Sequence, residues 1–200
     1  MIRIVGRSSS HYTRVTRMFA LELGVEHRFE PILQLGSVDA STYAGNPALK
    51  MPSLVDDEGP LFGTENICRR LARGRRDVVL RGDVEVRVVA NAEELTLHGM
   101  AADVDVILAK LAGQPASPKV VRGLENSLAW LDEHLAAVRA ALPAGRAPSF
   151  VEVALYCLVE HLPFREVVDV APYSRLATFC QEFGARASAV ETAYRFDAKA

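Results

Sequence analysis

Cysteine is scarce: three in 200 residues, Cys68, Cys157 and Cys180, widely separated and without a paired spacing. That argues against a disulfide framework, a dithiol redox motif and a cysteine metal centre, and leaves three small apolar side chains for the core. The five histidines, His11, His27, His98, His134 and His161, are as scattered. No zinc signature can be assembled from them, and no metal is expected. Charge of one sign is also lacking. A net charge of -2 gives no general attraction to polyanions. The one basic concentration, Arg69, Arg70, Arg73, Arg75, Arg76 and Arg81, has no interleaved aromatics and reads as the coat of a helix end and a linker, so no nucleic-acid partner is expected. No apolar run is long enough for a membrane span, and the opening MIRIVGRSSSHYT carries no long apolar segment after its charge. Neither a membrane partner nor a signal peptide is expected, and the expected location is cytoplasmic.

What is present is apolar bulk. Half of the chain is hydrophobic, enough for the core of one large domain or two small ones. IRIV alternates from Ile2 and predicts a first strand. After a loop of three serines, Tyr12, Val15, Phe19 and Leu23 recur at helical spacing, and Gly24 supplies a helix end. HRFEPIL predicts a second strand, and a polar loop follows from Gly36 to Leu49. Leu54 and Val55, a turn at DDEG, and Leu61 with Phe62 predict a hairpin. Thr64 then opens a short helix with Ile67, Cys68 and Leu71 on its inner face.

The texture changes after Gly74. Residues 84–111 alternate at first through Val84, Val86 and Val88, but Leu95, Met100, Val104 and Leu108 suit a long helix, which is the reading taken. Val121, Leu124, Leu128, Leu131, Leu135 and Val138 predict a helix over 118–142. In PSFVEVALYCLVEHLP, Ser149 and Glu152 form a capping box, Val151 to Leu162 supply an apolar face, and Pro163 is the stop. A last helical region uses Leu176, Phe179, Cys180 and Phe183. The fold class is thus an α/β domain, ordered βαβ then ββα, over 1–76, followed by an all-α domain over 84–200.

This layout resembles the soluble glutathione transferases, whose N-terminal domain is thioredoxin-like. The likeness is carried by SHYTRVTR at the first helix, NPALKMPSLVDDEG, GTENICRRLA at the third helix, the Ser149 and Glu152 box, and the closing PYSRLATFCQEFGARASA. It implies a cytosolic-type transferase, active in detoxification and expected as a homodimer, conjugating glutathione to a small hydrophobic electrophile. The half-apolar stretch at Leu61 and Phe62 is compatible with such a dimer. Glutathione is then a co-substrate, with the second substrate expected against the helical domain.

The resemblance also assigns site residues. Ser10 matches the hydroxyl that meets the thiol sulfur, Pro52 the proline after a cis bond, Met51 the residue whose backbone pairs with the cysteinyl part, and Glu65 the acid that faces the glutamyl ammonium. Asn66 stands where most relatives have serine and would take the glutamyl carboxylate. His11 stands where proline is common, and is expected to cap the helix or face water. Ser9 is a rival to Ser10, and Tyr12 is read as core. From the residues alone a serine before a helix is a cap, and the same helix start is a seat for an anion. The energies suffice. Lowering a thiol pKa from about 8.5 by two units needs roughly 2.7 kcal/mol. A hydrogen bond to a charged group supplies about 1.5–3 kcal/mol, and a helix start about 0.3–1 kcal/mol. The alternative is a non-catalytic binding or assembly module that has kept the fold and lost the reaction.

Overall fold

In the computed structural model, which describes residues 1–198, the order of elements is β1 (Ile2–Gly6), α1 (His11–Glu22), β2 (His27–Pro31), β3 (Ser53–Asp56), β4 (Gly59–Phe62), α2 (Thr64–Leu71), α3 (Arg87–Leu111), α4 (Pro118–Ala141), α5 (Phe150–Phe164), α6 (Ser174–Gly184) and α7 (Ala187–Glu191). The four strands make one mixed sheet in the order β2-β1-β3-β4, with β1 and β2 parallel and the other pairs antiparallel. The α/β part followed by an all-helical part is the fold class expected above. Inside the loop expected from Gly36 to Leu49 lies one turn of 3-10 helix, Ala40–Tyr43, which Asp39 caps by accepting from the Ser41 amide.

Contacts divide the chain into two units, one of Met1–Val78 together with the segment from Arg186 onward, the other of Val79–Ala185. The last segment therefore packs with the first unit, whereas the helical block was expected to run to the chain end. In the first unit, Ile4, Leu54, Val15, Phe19 and Ile67 are fully buried, which joins one face of the sheet to α1 and α2. Gly6 is required by close approach: a Cβ there would lie 2.3 Å from the Thr13 hydroxyl. The arginine run is ion-paired as a surface coat. Arg70 meets Asp56 at 2.7 Å, Arg73 meets Glu58 at 2.7 Å and Arg75 meets Asp77 at 2.7 Å.

In the second unit the stripe of α4 from Leu124 to Val138 is buried as its spacing predicts. The helix over 87–111 forms, but of the expected face only Met100 is fully buried, with Leu95 and Val104 partly so. Leu108 is 57% exposed, and the buried residues are Val89, Ala92, Glu93, Thr96, Gly99, Met100, Asp103 and Ile107. At Gly99 close packing is the reason: a Cβ there would sit 2.7 Å from Leu158 of α5. Asp103 on that face meets His161 of α5 at 2.5 Å, both buried. Pro163, expected to stop α5, falls inside its last turn, and the helix ends one residue later. All three cysteines are buried. Among the described residues no helix is long and apolar enough to cross a membrane.

Candidate functional site

Three strand ends meet in one row of the sheet: Val5 pairs with Ser53, and Ser53 pairs with Phe62. Just beyond these residues lie the serine loop, the Met51–Pro52 bond and the start of α2. Register alone therefore brings the three sequence-predicted segments to one end of the sheet. The Thr64 hydroxyl donates to the Tyr12 carbonyl at 3.5 Å, tying the starts of α2 and α1 together.

Within the serine loop the three hydroxyls differ. Ser8 is 2% exposed and bound twice to Asp197, its amide at 2.8 Å and its hydroxyl at 2.6 Å. Ser9 is also buried, and Ser10 is partly exposed. Ser10 is the N-cap of α1: its Oγ accepts from the Thr13 amide at 3.3 Å. A hydroxyl that accepts still has its proton to donate, so capping leaves Ser10 able to reach an anion at the helix start. His11, expected to cap or face water, is 1% exposed and packs edge-on against the Tyr12 ring at 4.4 Å. That is a correction, and its cause is position. The first residue of α1 points inward beside Tyr12, and Ser10 already holds the cap.

The Met51–Pro52 peptide bond is cis. Pro52 is buried, and Met51 is partly buried against the small cluster of Val5, Ile32 and Tyr43. Glu65 and Asn66 both lie in the first turn of α2, whose N-cap, Gly63, has φ 88° and gives no side-chain cap. That leaves the helix start to its own amides. Asn66 is exposed, and its amide group donates back to the Phe62 carbonyl at 3.0 Å. One of its two donors is thereby engaged within the chain.

Nothing in the sequence marks Asp197 as a partner of the serine loop, because the two are 189 positions apart and no local pattern links them. Gly6 and Thr13 were missed too. The Gly6 hydrogen-for-Cβ requirement follows only from how closely β1 and α1 approach.

Residues 5–76 match the family model described as the glutathione S-transferase N-terminal domain. No curated protein sequence matches the chain. Among solved structures, the chain is similar to a glutathione S-transferase from Methylobacillus flagellatus KT with glutathione bound, at 19% identity and TM-score 0.77, covering 98% of this chain and 100% of that one. It is similar to one from Methylobacterium radiotolerans JCM 2831 in complex with glutathione sulfonate, at 18% identity and TM-score 0.78, covering 100% and 97%. A glutathione transferase family member from Pseudomonas fluorescens Pf-5 with bound glutathione matches at 22% identity and TM-score 0.77, covering 98% and 100%. Residues 5–76 thus match the N-terminal domain of the glutathione S-transferases, and the chain as a whole shares the fold of the solved glutathione S-transferases.

Proposed function

We propose that this protein binds glutathione at the end of the sheet where β1, β3 and β4 meet, and transfers its thiolate to a small hydrophobic electrophile. The observation that carries this reading is the shared row Val5, Ser53 and Phe62, from which the serine loop, the cis Met51–Pro52 bond and the uncapped start of α2 all emerge. Ser10 donates its proton to the sulfur. The Met51 backbone, held by Pro52, pairs with the cysteinyl part. Glu65 faces the glutamyl ammonium, and Asn66 with the first amides of α2 takes the glutamyl carboxylate. The thiolate is the nucleophile, and a hydrogen bond together with a helix start is sufficient in size to favour it. The reading includes a homodimer and a cytoplasmic detoxification role, both supported by resemblance. Ser10→Ala is expected to bind glutathione still, while the bound thiol titrates nearer its free-solution midpoint and turnover falls. The thiolate absorbance against pH measures this, and an unchanged titration with unchanged turnover overturns the assignment.

A second reading rests on Asn66. With one amide donor turned to Phe62, Asn66 keeps one donor for a ligand, as many as a serine has, but on a longer side chain already tied to its own helix start. A binding or assembly module without the reaction fits that geometry. Retention on immobilised glutathione together with turnover separates the two, because the module lacks turnover whether or not it is retained.

A further inference from the structure

Arg17 is a cation out of place. It lies on α1 and is only 6% exposed, yet its Nε finds no hydrogen-bond partner among the described residues. Buried polar groups in folded proteins are almost always satisfied, and a buried charge all the more. Its guanidinium lies over the Phe29 ring at 4.1 Å, which steadies a cation but supplies no acceptor. Burial and the neighbouring Arg195 weaken its hold on its proton, and Glu191 and Asp197 act the other way. Asp197 is already bonded to Ser8. Arg17 lines a cleft of about 450 Å³ in the first unit, where Leu21, Val25 and Phe29 supply apolar wall and the exposed Glu26 and Glu191 stand at the opening. The cleft shares no residue with the proposed glutathione site.

We propose that this cleft is a binding site for a small monocarboxylate with an apolar body. A carboxylate matches the planar donor fork of arginine, and it would supply the acceptor that Nε lacks. The apolar body covers Leu21 and Val25, in the manner of small-molecule sites that combine apolar walls with one or two placed polar groups. The acids at the opening select against doubly charged anions such as phosphate. Among the described residues nothing accepts from Arg17 Nε, so an acceptor for it comes from outside.

Benzoate is the probe, with benzamide as its uncharged match, followed by isothermal titration on the full chain. Benzoate is expected to bind at one site at least tenfold more tightly than benzamide. Saturating glutathione should leave this unchanged, and inorganic phosphate should fail to displace it. Arg17→Met is expected to lose at least tenfold in benzoate affinity while its ligand-free melting temperature does not fall, since it removes a cation lacking a bond. Val25→Trp, which fills the cleft and leaves Arg17 in place, should also abolish binding and tests the cleft independently of the arginine. Equal binding of benzamide, displacement by glutathione or phosphate, or unchanged benzoate binding in Val25→Trp overturns the proposal. So does a clear drop in the melting temperature of Arg17→Met, which would make the arginine structural.

Discussion

In the proposed reaction one oxygen of the serine loop serves two partners. Ser10 Oγ accepts the Thr13 amide at 3.3 Å, and in the proposed reaction its proton goes to sulfur. Accepting one hydrogen bond polarises a hydroxyl toward donating another, so the cap and the reaction reinforce each other. The glutamyl seat divides differently. Glu65 would meet a charged ammonium, and losing a hydrogen bond to a charged group costs about 1.5–3 kcal/mol, roughly ten- to hundredfold in affinity. Asn66 already spends a donor on Phe62, so its loss removes less from the ligand. Glu65→Ala is therefore expected to weaken glutathione binding at least tenfold and Asn66→Ala by no more than a few fold, as measured by titration calorimetry. Equal losses would mean that the two residues do not divide the ammonium and the carboxylate in this way. Ser10, Met51, Pro52, Glu65 and Asn66 are proposed from the resemblance, which works here because each lies in a short motif that can be matched locally. His11 could not, since a polar residue at a helix start gives no hint that it is buried.

Among the elements, α5 is the most dependent on its first turn. Ser149 is fully buried, and its hydroxyl and the Glu152 side chain satisfy each other's backbone amides. Arg146 joins them at 2.7 Å from Glu152, and the Val79 carbonyl takes the Phe150 amide at 2.8 Å. Replacing a capping serine by alanine costs about 0.5–2 kcal/mol, and Ser149→Ala is expected near the upper end because the site is closed to water. Burial would raise the Glu152 pKa, but hydrogen bonds from Arg146 and Ser149 outweigh it and hold the carboxyl below its ordinary 4.5. A depressed pKa of this kind adds stability above the unfolded value that is lost as pH falls through the folded one. Denaturant unfolding of Glu152→Gln should therefore show less stability than the natural chain at neutral pH, with the gap closing below about pH 4.5. A gap that persists unchanged at low pH would mean that the charge is not what matters. This cap was legible because its two residues are three apart. The face of α3 was legible only in part: Met100 is buried as its spacing favours, but close packing against Leu158 needs Gly99, and Leu108 of the expected face is exposed.

At the scale of the molecule, the first unit is discontinuous: its strands and α1 open the chain, while the segment that completes it closes the chain. Arg186 holds Glu22 with two hydrogen bonds of 2.8 and 2.6 Å, and the Ser188 hydroxyl joins them. Arg14, 3% exposed, donates to the Ala189 carbonyl at 3.1 Å and lies over the Tyr194 ring at 4.2 Å. Asp197 takes both donors of Ser8. None of these links was readable in the sequence, since each joins residues more than 160 positions apart and pattern within a window carries no such information. Ending the chain at Ala185 strips Ser8, Arg14 and Glu22 of these partners, and each polar group left buried and unsatisfied costs about 1–3 kcal/mol. Amide exchange in β1 and α1 is therefore expected to accelerate by at least about a hundredfold. The sole tryptophan, Trp130 of α4 in the other unit, should still report a cooperative unfolding transition by fluorescence. Restoring residues 186–197 with Asp197→Asn should recover α1 protection but leave the serine loop exchanging faster than in the natural chain, because an amide accepts less strongly than a carboxylate from the Ser8 donors. Full protection of β1 and α1 in the chain that ends at Ala185 would show that the opening strands and helix hold without their distant partners.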